Sequence, residues 1–502
     1  MDWPRRVSVR CALAVTALVL SSCGGSGPEE GEPGAGPGTE TPVAAAPSAE
    51  CTHWVATAGD DGAAGTQTQP WRTLEQAVGQ SGPGETVCVA GGTYVLAGGE
   101  LLLDRCGSDS AALGLRSPGG DAVLEGGLIL AAGCSHVRID GFRVEGFSVW
   151  GVTLLGGNTD VVLSRLSVSG GAAGIHLTVG DSGEAPRFGA VSDVLIEDSV
   201  VSGAVYTAVD CTPGPCDRVT FRGLEISGAG AEAGYAGDGL AVERGQEIRV
   251  EDCHIHDNGG DGIDIGSRDL GTPMPGIVVE RNRVLRNGRN GIKLWSSGRL
   301  ANNLVVDSGA TALVLEAGEF EVVNNTLASI RTWDYLALLG NIDTSYPVGL
   351  TLYNNVFFND DPQMGGTLVF LPATVTLDAG HNLYYNPYRE TGVICADFVG
   401  GGECFDAFEI DDGSWSGAAG TDARSRYADP AFVSAAGGDF HLAEGSPAIN
   451  AGSSLHAPAT DLEGATRGSA PDVGAYEFGA SSSSSSLPSE KRTTILRPSL
   501  EG

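Results

Sequence analysis

Asp238-Gly239-Leu240, Asp261-Gly262-Ile263 and Asn290-Gly291-Ile292 recur within residues 237–295, three similar phrases at similar places in successive repeats. An apolar-x-apolar-x-x-x-x-apolar phrase starts at Val137, Val161, Val194, Val219, Ile248, Ile277, Gly298, Phe320 and Leu350. The intervals are 24, 33, 25, 29, 29, 21, 22 and 30 residues. A floor of 21 to 22 with variable excess is what stacked coils give, because each coil must close on itself while its turns are free to lengthen. Alternation within the phrase indicates strands, not helices.

Two columns follow from this register. The sixth residue of successive phrases is Phe142, Leu166, Ser199, Leu224, Cys253, Asn282, Asn303, Asn325 and Asn355. Four asparagines in a row at one turn form a ladder in which each amide bonds its neighbour and the turn backbone. Sixteen residues from the phrase start stand Thr153, Asp210, Asp264, Lys293 and Val314, with His176 and Ala241 as the equivalents in the coils starting at Val161 and Val219. These alternate with Val152, Ile175, Val209, Leu240, Ile263, Ile292 and Leu313, which point inward. The second column therefore faces out from one sheet.

Composition narrows the class. With 76 glycines and 6% aromatics among 502 residues, short strands and turns fit better than a helical bundle. A net charge of −34 excludes nucleic acid as a partner, which needs a basic stripe. Residues 239–300 are locally balanced, with nine basic residues against nine acids. The chain is expected to act as a monomer.

Five segments are expected. Residues 1–23 read as an export signal: Arg5, Arg6 and Arg10 precede a short apolar run that ends in Leu20-Ser21-Ser22-Cys23. That ending resembles the bacterial lipobox, which implies lipidation of Cys23, a membrane attachment through that anchor, and a place in the cell envelope. Residues 24–50, rich in Gly, Pro, Ala and Glu, read as a flexible linker. Residues 51–386 hold an N-terminal cap, with a short helix over 74–78, and the coils. Residues 387–479 form a C-terminal region, and 480–502, with six consecutive serines, a disordered tail. Cys211 with Cys216 and Cys395 with Cys404 are close enough to close loops, and Cys253 is the expected unpaired thiol.

The order of motifs in residues 52–94 resembles the cap of many secreted parallel β-helix proteins, and the coils resemble the right-handed parallel β-helix class. The implied fold is all-β, a solenoid with an N-terminal cap. Asp238-Gly239, Asn258-Gly259-Gly260-Asp261-Gly262-Ile263-Asp264 and Asn290-Gly291-Ile292-Lys293-Leu294 further resemble polysaccharide lyase family 9, the pectate-lyase-like enzymes. That resemblance implies calcium held by Asp238, Asp261 and Asp264, with Lys293 as the base. The family's fourth aspartate is Gly260 here. It implies an acidic polysaccharide as substrate, with Asp210, His176, Arg268, Arg289 and Trp295 as candidate substrate contacts.

The residue types suit the chemistry. β-Elimination of a 4-linked uronate removes the weakly acidic C5 proton, so a cation on the carboxylate and a neutral amine nearby are both needed. A divalent cation helps an amine shed its proton, whereas aspartates alone oppose it. Taken singly, Asp-Gly pairs are common turn residues, and only the combined spacing carries the reading. Competing readings are an alginate-type lyase or C5 epimerase, a non-catalytic glycan-binding or structural surface protein, and a glycoside hydrolase, which would need two positioned carboxylic acids.

Overall fold

A computed structural model of the chain describes residues 50–178, 187–230, 236–267, 274–330, 335–341, 346–362 and 366–479. Cys23 and Arg268 lie outside them. Parallel strands stack into three columns. One runs from His53–Val55 through Val137–Asp140, Val191–Glu197 and Gly298–Ala301 to Val375–Gly380. The other two branch from the long strands Gly92–Leu103 and Ala122–Leu130. Every phrase start falls on its expected neighbour: Val137 on Val161, Val161 on Val194, Val194 on Val219, and Gly298 on Phe320 and then Leu350.

The inward stack also forms as expected. Val152, Ile175, Val209, Leu240, Ile263, Ile292 and Leu313 pair successively and are essentially inaccessible to solvent. They belong to one continuous apolar core that runs from the cap to Trp415. The cap helix spans Leu74–Gln80, its start held by the Thr73 hydroxyl accepting from the Gln76 N–H, and it buries Leu74, Ala77 and Val78. Capping hides a core and a strand edge that the first coil would otherwise expose.

The turn before the ladder has a backbone reason for its sequence. Asp198, Asp252, Arg281, Asn302, Asn324, Asn354 and His381 all adopt φ between 50° and 60°, and each immediately precedes a ladder residue. Asn and Asp tolerate this left-handed conformation best among residues with a side chain. The ladder itself runs Asn282, Asn303, Asn325, Asn355 and on to Asn382, each side-chain amide donating to the next Oδ1 at 2.9–3.1 Å. Each also donates to a strand carbonyl, as Asn303 does to Val279 at 2.8 Å. Cys253 occupies the preceding rung, buried and unpaired, with its backbone N–H donating to Asn282 Oδ1. A second, shorter ladder, Asn258 to Asn287 at 2.9 Å, was not expected.

Asn303→Ala is expected to lower unfolding stability by about 2–4 kcal/mol, because it strands the buried Asn282 N–H and Val279 carbonyl. The shift of the urea midpoint measures it.

Strand pairing continues past Asn386, where the sequence rhythm fades: Ile394–Ala396 pairs with Val369–Leu371, and Arg426–Tyr427 with Leu383–Tyr385. Beyond these the chain folds back along the ladder side. Asn302, Asn324 and Asn354 donate to the carbonyls of Thr460, Asp472 and Ser453. Phe440, Leu442, Leu462, Val473 and Tyr476 form a second apolar cluster with Leu304, Val306, Val356 and Phe358. Asp461 and Asp472 accept backbone N–H groups within this segment, so both are turn-locking residues. Among the described residues, four disulfides join Cys51–Cys88, Cys106–Cys134, Cys211–Cys216 and Cys395–Cys404.

Candidate functional site

The outward column is in register throughout: Thr153, His176, Asp210, Ala241, Asp264, Lys293, Val314, Leu338 and Phe370 are successive Cα partners. Adjacent coils are about 4.8 Å apart, so Asp264 and Lys293 stand side by side on the strands Ile263–Ile265 and Ile292–Leu294. Asp238 and Asp261 sit just before their strands, on the turn that leads into this face. The Asp261 N–H donates to Asp238 Oδ1 at 2.7 Å. In the next coil Asp261 Oδ1 accepts from both the backbone and the side-chain amide of Asn290, at 2.8 and 2.9 Å. The repeated Asp/Asn-Gly phrase thus builds a carboxylate staircase, each acid binding the backbone one coil on.

Three acids so close together hold their protons unusually well. Burial, and then the charge of Asp261, push the Asp238 carboxyl up to about 7 against the opposing charges of Arg289 and Lys293. Burial, then Asp261 and Asp238, push Asp264 up to about 8. Burial also raises Asp261, opposed by the Asn290 donors and by Lys293 and Arg289. Each carboxylate makes these hydrogen bonds through Oδ1, Asp264 accepting from Trp295 Nε1 at 2.7 Å, which leaves Oδ2 outside them.

This donor set suits calcium in kind: oxygens only, from crowded carboxylates whose repulsion a divalent cation relieves. In geometry the fit is incomplete. Among the described residues no three or more His, Cys, Asp or Glu side chains converge as a group able to hold a metal ion. The Gly260 position explains part of this. A Cβ there would lie 2.3 Å from Asp238 Oδ1 and 2.9 Å from the Gly237 carbonyl carbon, so a fourth acid at 260 has no room without moving Asp238.

Lys293 has partners that the column alone does not predict. Its Nζ lies 3.7 Å from the Trp295 ring centroid and 3.9 Å from Glu316 Oε1. Both are partners of a cation. Glu316, which also accepts from the Asn341 amide, is absent from the sequence-derived set. It stands two residues beyond Val314, as Trp295 does beyond Lys293, so strand alternation carried to the next outward position would have found it. Trp295 packs over Gly266, where a Cβ would come within 2.5 Å of the tryptophan.

The other expected contacts divide. Arg289 is exposed, donates its backbone N–H to the Gly260 carbonyl and acts on the acids through its charge. His176 and Asp210 are joined at 2.6 Å through Nδ1, and the imidazole stacks on Trp150 with 4.9 Å between centroids and 5° between planes. They lie four and three coils from Lys293 respectively, in line with it but not in contact.

The family described as Right handed beta helix region matches residues 127–327, and Protein of unknown function (DUF1565) matches residues 57–102, the cap. No curated protein matches the chain. Among solved structures, pectate lyase Pel9A superposes with a TM-score of 0.51 at 16% identity, over 85% of this chain and 96% of that one. A rhamnogalacturonan lyase gives 0.46 at 13%, over 66% and 87%. An alginate lyase from Paenibacillus sp. str. FPU-7 gives 0.39 at 16%, over 61% and 96%. The staircase of parallel coils and the family match agree: this chain is a right-handed parallel β-helix, similar in fold to pectate lyase Pel9A.

Proposed function

We propose that this chain is a polysaccharide lyase that cleaves a pectate-like, uronic-acid polysaccharide by β-elimination, with Lys293 as the base and calcium at Asp238, Asp261 and Asp264. One observation carries the reading: Lys293 projects from an outward-facing strand in register with Asp264 and within the charge field of Asp238 and Asp261. Calcium, when bound, neutralises the uronate carboxylate and so acidifies its C5 proton. Lys293 Nζ takes that proton, the C5–H electron pair forms the C4–C5 double bond, and the C4–O4 bond breaks. The departing O4 takes a proton from solvent. Glu316 and the Trp295 face hold the amine over the column, and both receive the ammonium once the proton has moved. Arg289 supplies local positive charge for an acidic chain on a protein that is acidic as a whole.

The Trp295 and Glu316 contacts also favour a second reading, in which Lys293 remains an ammonium that only binds carboxylated sugars. Incubating the full chain with pectate, alginate and other polyuronates in calcium separates the two. The lyase gives unsaturated uronate absorbance that chelator abolishes, whereas a binding protein retains polymer on the column and yields no product. An epimerase would invert C5 without the absorbance. With Cys23 lipidated, the catalytic coils would work at the cell envelope, tethered by residues 24–50.

A further inference from the structure

We infer that the outward column carries a sugar chain along about eight coils, and that two stacked ring pairs, Trp150–His176 and Tyr335–Phe370, are its distal sugar subsites. This rests on the reading of Lys293 as the base. From Lys293 the register runs four steps to His176 and three to Phe370, roughly 19 and 14 Å at the coil spacing. A 1,4-linked pyranose advances by roughly the same rise, so about one sugar sits on each coil.

The rings are placed as platforms and not as core. Trp150, Tyr335 and Phe370 are each half-buried, His176 is buried against Trp150, and none of the four belongs to either apolar cluster of the described residues. Tyr335 and Phe370 stack at 4.6 Å and 24°, as Trp150 and His176 do at 4.9 Å. By contrast, the Phe358–Tyr385 and Phe358–Phe432 pairs lie under the C-terminal segment, within its apolar cluster. A flat ring with an apolar face and a fixed edge is the surface a pyranose C–H face packs on. Asp210 fixes the His176 ring at 2.6 Å, so the first platform is rigid before a ligand arrives. Between it and the acids the column narrows to Ala241, a small side chain that leaves the floor clear for a sugar to pass.

Calorimetry on the full chain carrying Lys293→Arg, in calcium, with oligogalacturonates and oligoalginates of two to ten units, tests this without turnover. Affinity for one series is expected to rise with length up to about eight units and then level off. Trp150→Ala and Phe370→Ala are each expected to weaken the eight-unit ligand roughly tenfold and to leave the four-unit ligand unchanged. Trp150→Phe and Phe370→Tyr keep a ring, and their retained affinity, with unchanged circular dichroism, separates lost stacking from lost folding. Affinity that stops rising at four units, alanine variants that bind the eight-unit ligand like their parent, or no binding of either series overturns the subsites. If the unmutated chain makes no unsaturated product but length and ring dependence persist, the lyase reading falls and the subsites stand. A working lyase whose affinity ignores length removes the subsites alone.

Discussion

Lys293→Arg is expected to keep the fold and any calcium binding, yet lower turnover by at least about 100-fold, the usual cost of losing a general base. Of 29 basic residues in the chain 27 are arginines, and the other lysine is Lys491 in the C-terminal tail. In a sequence this biased toward arginine, lysine in the middle of an outward groove marks a position where arginine does not serve. Arginine would still pair with Glu316 and stack on Trp295, so a purely structural or binding role survives the exchange. A guanidinium does not give up its proton in a protein, whereas an amine does. Initial rates of unsaturated-product release, with calorimetric calcium titration as the control, decide it. A fully active, calcium-dependent arginine variant would place the base elsewhere.

The Asp261→Ala, Asp264→Ala double variant is expected to lose calcium binding by roughly 100-fold or more, and turnover with it, because two of three carboxylates leave the set. Asp261→Ala also releases the Asn290 donors, a loss of about 1–3 kcal/mol, so Asp261→Asn and Asp264→Asn serve as the gentler pair. The pH dependence gives an independent check in chelator. Asp264 sits at about 8 in the folded chain against about 3.9 unfolded. An acid raised on folding costs stability as pH climbs from about 4 to 8, and the loss persists above that. Asp264→Asn removes the charge and keeps an acceptor for Trp295 Nε1. Its Tm is therefore expected to exceed the parent's at pH 8 without calcium, and to stop responding when calcium is added. Equal calcium binding by parent and double variant would remove the site.

Much of this was legible because one spacing never varies. Five residues separate each phrase start from its ladder residue in every coil from Val137 to Leu350, so a single count fixed the strand register, the inward stack and the outward column together. What escaped the count has specific causes. Glu316 was missed because its coil presents Val314 at the column position and so looked inert. The Asn258–Asn287 ladder has two rungs, too few to stand out from turn asparagines. Cys51–Cys88 and Cys106–Cys134 join residues 37 and 28 apart, where sequence spacing does not discriminate among partners. Ile394–Ala396 extends the column in a coil beyond Leu350, the last phrase start in the count. The packing of Phe440 and Tyr476 onto Leu304 and Phe358 is tertiary and leaves no local period. Gly260 was readable as a missing acid, but the clash that forbids one there depends on where Asp238 Oδ1 points.

The fixed turn also sets how such a molecule can be remodelled. With the left-handed residue fixed in every coil from Gly141 to Asn354 and the ladder amide locked in the coils from Asn282 on, length variation is pushed into the two turns that flank the outward column. Insertions therefore accumulate as banks on either side of the same floor, while the stack beneath keeps its step. A lineage, or a designer, can exchange those banks one coil at a time and so redraw which polymer fits, with the step between coils inherited unchanged.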